Sequence, residues 1–160
     1  MGRTKIRRIL VATDFSAYSR ESLTYAVYLA KCLGAELLLV HVFERPVYSD
    51  VGVAHSVRSG VQRWLREVKS ETTAKLTALV RQLRQQWADT HPLWREGTPS
   101  DEIVQCAKET SSDMVVLGTH GRTGLAHVLL GSVTERVLRH APCPVLTVRP
   151  RALHPRRKAR

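Results

Sequence analysis

A chain of 160 residues, 43% hydrophobic and 24% charged, has the size and composition of one globular domain with an ordinary buried core. No apolar stretch approaches the roughly 18 residues that a membrane span requires, and the run behind the basic N-terminus, Ile9 to Ala12, is too short for the apolar core of a signal peptide, so a cytoplasmic address is expected. The formal charge of +11 sits mainly at the ends: Arg3, Lys5, Arg7, Arg8 and the six basic residues from Arg149 to Arg160 leave residues 9–148 with a balance of only +1, which argues against a nucleic-acid-binding body and for solvated basic ends.

In chain order, Ile9-Leu10-Val11-Ala12 is a continuous apolar run, the pattern of a strand buried on both faces. Leu23, Ala26, Val27, Ala30 and Leu33 recur at helical spacing and predict an amphipathic helix ended by Gly34. Leu37 to Val42 predicts a second buried strand, followed by a loop with Pro46, Gly52 and Gly60. The longest helix is predicted from near Val61 to near Thr90, with Leu65, Val68, Thr72, Leu76, Leu79, Val80, Leu83 and Trp87 on one face; Trp64 and Trp87 on it, like Trp94 beyond it, are expected to pack. His91 to Glu96 predicts an edge strand. Thr98 is expected to cap the next helix, with Pro99 in its first turn and Asp101 at its third position. Met114 to Leu117 predicts a strand, Ser132 to about His140 a helix, and Val145 to Val148 the last strand. One domain over residues 1–150 and a disordered basic tail over 151–160 follow from this order.

Strands alternating with helices indicate a parallel sheet covered on both faces, which binds ligands outside the carboxyl ends of its strands, where strand order reverses. Three segments leave such ends: Thr13-Asp14-Phe15-Ser16, His41-Val42, and Leu117-Gly118-Thr119-His120-Gly121. The last is followed after nine residues by Gly131-Ser132-Val133-Thr134-Glu135. Glycines let backbone approach a ligand closely, and a helix start aims unpaired N–H groups at negative charge, so this loop reads as a phosphate cradle. Ser132 to Glu135 also has the form of a capping box, and Ser132 can serve either purpose. Asp14 either turns the chain into the first helix or faces a ligand; Arg122 and Arg136 either reach phosphates or lie in water. His41 and His120 read as packing or hydrogen-bonding residues rather than metal ligands, and Cys32, Cys106 and Cys143 as buried or half-buried free thiols, since no zinc spacing is present.

Gly118, Gly121, Gly131 and Ser132 in this spacing, with Val11-Ala12-Thr13-Asp14-Phe15-Ser16, His41-Val42, Gly97-Thr98-Pro99 and Pro142-Cys143-Pro144-Val145, resemble the universal stress protein family in its ATP-binding branch. The resemblance spans about residues 5–150. It implies a single-domain α/β fold of the adenine nucleotide alpha hydrolase-like kind: an open parallel five-stranded sheet, order 3-2-1-4-5, with helices on both faces, usually a homodimer through the final strand, here Val145 to Val148. By position it assigns adenine to a slot by Ala12 and the backbone of Val42, and puts Asp14, next to Thr13, near the ribose and any metal. Phosphates are assigned to the loop leaving Leu117, at the amides of Gly118, Thr119, His120, Gly121, Arg122, Thr123 and Gly124, and to Gly131, Ser132, Val133 and Thr134.

Magnitudes agree that loop and slot must act together. A helix dipole contributes only about 0.3–1 kcal/mol to an anion, charge-assisted hydrogen bonds add roughly 1.5–3 kcal/mol each, and micromolar binding needs about −8 kcal/mol. The expected function is a non-catalytic, nucleotide-dependent regulatory or sensor module in stress response, with ATP as ligand, Mg2+ bridging its phosphates and no protein-only metal site. A slow ATP hydrolase or nucleotidyl-transfer enzyme on the same fold is one alternative, although no P-loop Lys-Ser/Thr pair is present. Acidic-partner or nucleic-acid binding through the basic termini is another.

Overall fold

The computed structural model describes residues 5–44, 55–119 and 130–149. Its elements in chain order are β1 (Arg8–Ala12), α1 (Ala17–Leu33), β2 (Glu36–Phe43), α2 (His55–Arg84), β3 (Thr90–Glu96), α3 (Pro99–Glu109), β4 (Met114–Gly118), α4 (Ser132–His140) and β5 (Val145–Val148). The strands form one parallel sheet in the order β3-β2-β1-β4-β5, as expected.

The continuous apolar runs are explained by burial on both sides. Ile9, Val11, Leu37, Leu39 and Val116 pack with Leu23, Ala26, Val27 and Ala30 of α1 and Leu76, Val80 and Leu83 of α2. The alternate residues Leu10, Leu38, Val40, Val115 and Leu117 pack with Ile103, Val104 and Ala107 of α3 and Val137 of α4. Strand order reverses between β1 and β4, which places the chain segments leaving β1, β2 and β4 along one end of the sheet. β3 and β5 are its edges, and β3 tolerates Pro92 for that reason. No helix among the described residues is long and apolar enough to cross a membrane.

Several boundaries differ from the sequence expectation. α2 begins at His55 and runs through Gly60, where the sequence predicts a loop; one glycine inside a long amphipathic helix costs about 1 kcal/mol, which the remaining turns can absorb. The same helix ends at Arg84 rather than near Thr90: the Gln86 amide tightens onto the Leu83 carbonyl at 2.8 Å, an i→i−3 bond, and shares that carbonyl with the Trp87 amide at 2.9 Å. Trp87 therefore lies past the helix, but it packs as expected, its indole N–H donating to the Ala35 carbonyl at 2.8 Å. Trp64, expected to pack, is exposed. Thr98 stands at the N-cap of α3, but its side chain makes no capping bond; its carbonyl instead accepts the amides of Asp101 and Glu102. Pro46 and Gly52, and the tail 151–160, lie outside the described residues.

Gly34 closes α1 with φ +62°, a left-handed conformation, and its amide donates to the Ala30 carbonyl. Nothing lies within 4 Å of where a Cβ would stand, so a substitution there feels only the backbone penalty. Gly34→Ala is expected to lower the unfolding free energy by about 1 kcal/mol in urea titrations; an unchanged midpoint would show that the cap relaxes without cost.

Candidate functional site

At the end of β1 the chain turns sharply and every turn of the path is hydrogen-bonded. The Thr13 amide donates to the Val40 carbonyl at 2.9 Å, continuing the sheet one residue past the strand. Thr13 Oγ1 accepts the Phe15 amide at 3.1 Å and meets Ser19 Oγ at 3.1 Å. Asp14 Oδ1 accepts the Ser16 amide at 3.0 Å, an Asx turn, and Ser16 Oγ caps α1 by accepting the Ser19 amide at 3.2 Å. The cap is thus Ser16, and Asp14 is the turn-maker beside it. Phe15, between them, has φ +62°, a conformation uncommon for a residue with a side chain. His41, almost fully buried, places Nδ1 2.8 Å from the Thr13 carbonyl, a hydrogen-bonding role that agrees with the sequence expectation.

At the end of β4, three hydrogen bonds fix the start of α4. The Thr119 amide donates to the Val148 carbonyl at 2.9 Å, the Gly131 amide to the Thr119 carbonyl at 2.8 Å, and the buried Thr134 Oγ1 to the Gly118 carbonyl at 2.9 Å. Gly131 is the N-cap, and the first amide bonded inside the helix is that of Glu135, to the Gly131 carbonyl at 2.9 Å. The amides of Ser132, Val133 and Thr134 therefore stand outside the helix's own ladder, as first-turn amides do.

Two sequence expectations change here. The amides of Thr119 and Gly131 are engaged within the chain and do not remain as phosphate donors in this conformation. The capping box does not form: Ser132 is the first helical residue, is exposed and caps nothing, while Glu135 Oε1 accepts from Arg139 at 2.8 Å. Sequence spacing could not distinguish Gly131 from Ser132 as the cap, because both types are acceptable there.

The residues between these two segments are apolar. Ala12, Val42 and Val133 are partly buried and pack on the same core as Leu117, Val40 and Val137. Ala12 and Val42 thus lie on the sheet face that α4 covers, with the three first-turn amides and Asp14 on elements that meet at the same end of the sheet. Such a set, apolar residues beside first-turn amides outside the helix ladder and an exposed serine, suits a flat heterocycle carrying phosphates. His120, Gly121, Arg122, Thr123 and Gly124 lie outside the described residues.

Other candidates fall away from this centre. Arg136 Nε is 3.5 Å from Asp101 Oδ1 of α3, an exposed pair. Arg8, counted among the basic ends, belongs to β1: its Nε is 2.6 Å from Glu36 Oε2 and its guanidinium also bonds the Thr110 carbonyl. Cys106 is buried and Cys143 half-buried, and burial pushes both thiols up; Cys32, by contrast, is exposed. Among the described residues no group of three or more His, Cys, Asp or Glu side chains could hold a metal ion.

Comparison with known proteins agrees with this architecture. The model of the universal stress protein family matches residues 5–149. Universal stress protein MJ0531 of Methanocaldococcus jannaschii is 34% identical over 149 residues, covering 92% of this chain and 85% of that protein. Among solved structures, universal stress protein UspA from Lactobacillus plantarum superimposes with a TM-score of 0.79 at 24% identity, over 91% of this chain and 99% of that one. The universal stress protein from Archaeoglobus fulgidus in complex with dAMP does so with a TM-score of 0.64 at 23% identity, over 89% and 98%.

The Thr134 bond ties α4 to the end of β4, and its loss leaves a carbonyl without its donor. Thr134→Val is expected to lower stability by about 1–2 kcal/mol in chemical denaturation, with Thr134→Ser retaining most of the wild-type value. Equal stability of Thr134→Val and wild type would remove this anchor.

Proposed function

The chain belongs to the universal stress protein family, and we propose that it binds ATP, with Mg2+ on the phosphates, at the carboxyl end of β1 and β4 and acts as a nucleotide-dependent regulatory module in stress response. The observation that carries this reading is the start of α4: three successive amides, Ser132 to Thr134, outside the helix ladder, beside an exposed Ser132 hydroxyl that caps nothing. They fit a phosphate chain. Ala12 and the backbone of Val42 offer the shelf for adenine, with Thr13 and Asp14 on the ribose side. The family relative from Archaeoglobus fulgidus, in complex with dAMP, supports an adenine nucleotide as the ligand class.

Bound ATP supplies negative charge that satisfies the first-turn amides and an aromatic base that covers the apolar shelf. In this reading Mg2+ would be held through the phosphates, with Asp14 on the side of the site nearest to it. Ligand contacts on both β1 and α4 give binding a way to change how α4 and the adjoining β5 are held. β5 is an edge strand, bonded to β4 on one side, and in this proposal its other side pairs with a second copy in a cytoplasmic homodimer.

Gly131 tests the site cleanly, because its φ of −70° and ψ of 150° are open to any residue. Wild-type protein is expected to bind Mg-ATP in the micromolar range by calorimetry, and Gly131→Val, which puts a branched side chain beside the first-turn amides, to bind at least about tenfold more weakly while still folding, its melting temperature lowered by about a few degrees as valine at an N-cap requires. Equal affinities, or no ATP binding by the wild type, would overturn the reading.

A further inference from the structure

We infer that His41 is a positioning residue for the proposed ATP site: its imidazole holds the loop that carries Asp14, without touching the nucleotide. The inference rests on the ATP-site reading for its functional half, and on the geometry alone for its structural half. Side chains alternate along β2, with Leu37 and Leu39 on the α1/α2 face and Leu38, Val40 and Val42 on the other. His41 therefore lies on the α1/α2 face, behind the shelf formed by Ala12 and Val42.

From there it reaches the loop in two ways. Nδ1 is 2.8 Å from the Thr13 carbonyl, and the ring lies against Phe15 with centroids 4.3 Å apart at 39°. A carbonyl only accepts, so Nδ1 carries the proton. Thr13 is thus bonded through its carbonyl to His41, through its amide to Val40 and through its hydroxyl oxygen to the Phe15 amide. Phe15 sits at φ +62°, a state that an L residue leaves unless its surroundings hold it. The Asp14 turn lies between these two fixed residues, so the direction of its carboxylate depends on both. Without the imidazole donor the Thr13 carbonyl loses its buried partner, and Phe15 loses the ring that backs it.

The experiment compares wild type, H41L and H41N. Leucine fills space without a donor, whereas the asparagine amide can donate from about the position of Nδ1. Amide exchange at Phe15 and Ser16 is expected to quicken about tenfold or more in H41L with β1 amides unchanged, and ATP affinity to fall about tenfold. H41N should restore both to within about threefold. Unchanged exchange in H41L, or an H41N defect as large as that of H41L, would overturn the assignment. In wild-type protein, 15N shifts should show Nδ1 protonated; an imidazole protonated only on Nε2 would also overturn it, without recourse to a variant. If wild-type protein binds no ATP, the site reading fails separately, and exchange and tautomer still decide whether His41 holds the loop.

Discussion

The Gly131 amide donates to the Thr119 carbonyl across 2.8 Å, and the candidate site depends on that closure. It brings the chain back to the end of β4 at the residue where α4 begins. The Thr119 amide, bonded to Val148, and the Thr134 hydroxyl, bonded to Gly118, secure the same junction from β5 and from inside the helix. With those groups engaged, the next three amides along the chain, Ser132 to Thr134, are the described ones at this junction that stand outside the helix ladder. The junction thus determines which amides remain available, and it leaves them at the start of a helix, where the dipole favours an anion.

The two faces of the sheet contribute differently to this end of the molecule. On the α3/α4 face, Ala12, Val42 and Val133 stop short of full burial and leave a shelf. On the α1/α2 face, Phe15 and His41 lie against each other behind it, while Phe43 stacks on Trp94 at 6.3 Å and Lys69 of α2 lies over the Trp94 ring. The sheet between them is built from residues such as Leu10, Val11, Leu39 and Val40 that are fully buried, so the strand ends have little freedom to shift independently. A rigid sheet with a hydrogen-bonded turn after β1 holds Thr13 to Ser16 in place by bonds within the chain.

Much of this was legible in the sequence because burial on both faces writes itself as continuous apolar runs, and β1, β2 and β4 each lie within a residue or two of such a run. The strand order came from the family resemblance, not from periodicity. Where local chemistry offers several equivalent solutions, the sequence was less decisive. Gly60 looks like a loop residue unless the helical stripe on either side outweighs it, and Leu33 and Cys32 continue α1 without revealing that they are exposed there. Thr98 and Ser132 have good capping chemistry that the backbone does not use. Least visible were the partners of single amides: nothing in Gly118-Thr119 announces that Thr119 bonds Val148, because that depends on β5 lying alongside.

The central claim is that the phosphates meet the first turn of α4 and the base meets the β1–β2 shelf. Titration of Mg-ATP into 15N-labelled protein tests it most directly, read amide by amide. The account predicts that Ser132, Val133, Thr134 and Val42 move together along one saturable curve, with Thr119 and Gly131, already bonded within the chain, shifting less. Saturable shifts that leave Ser132 to Thr134 unmoved, or shifts led by Thr119 and Gly131, would contradict it.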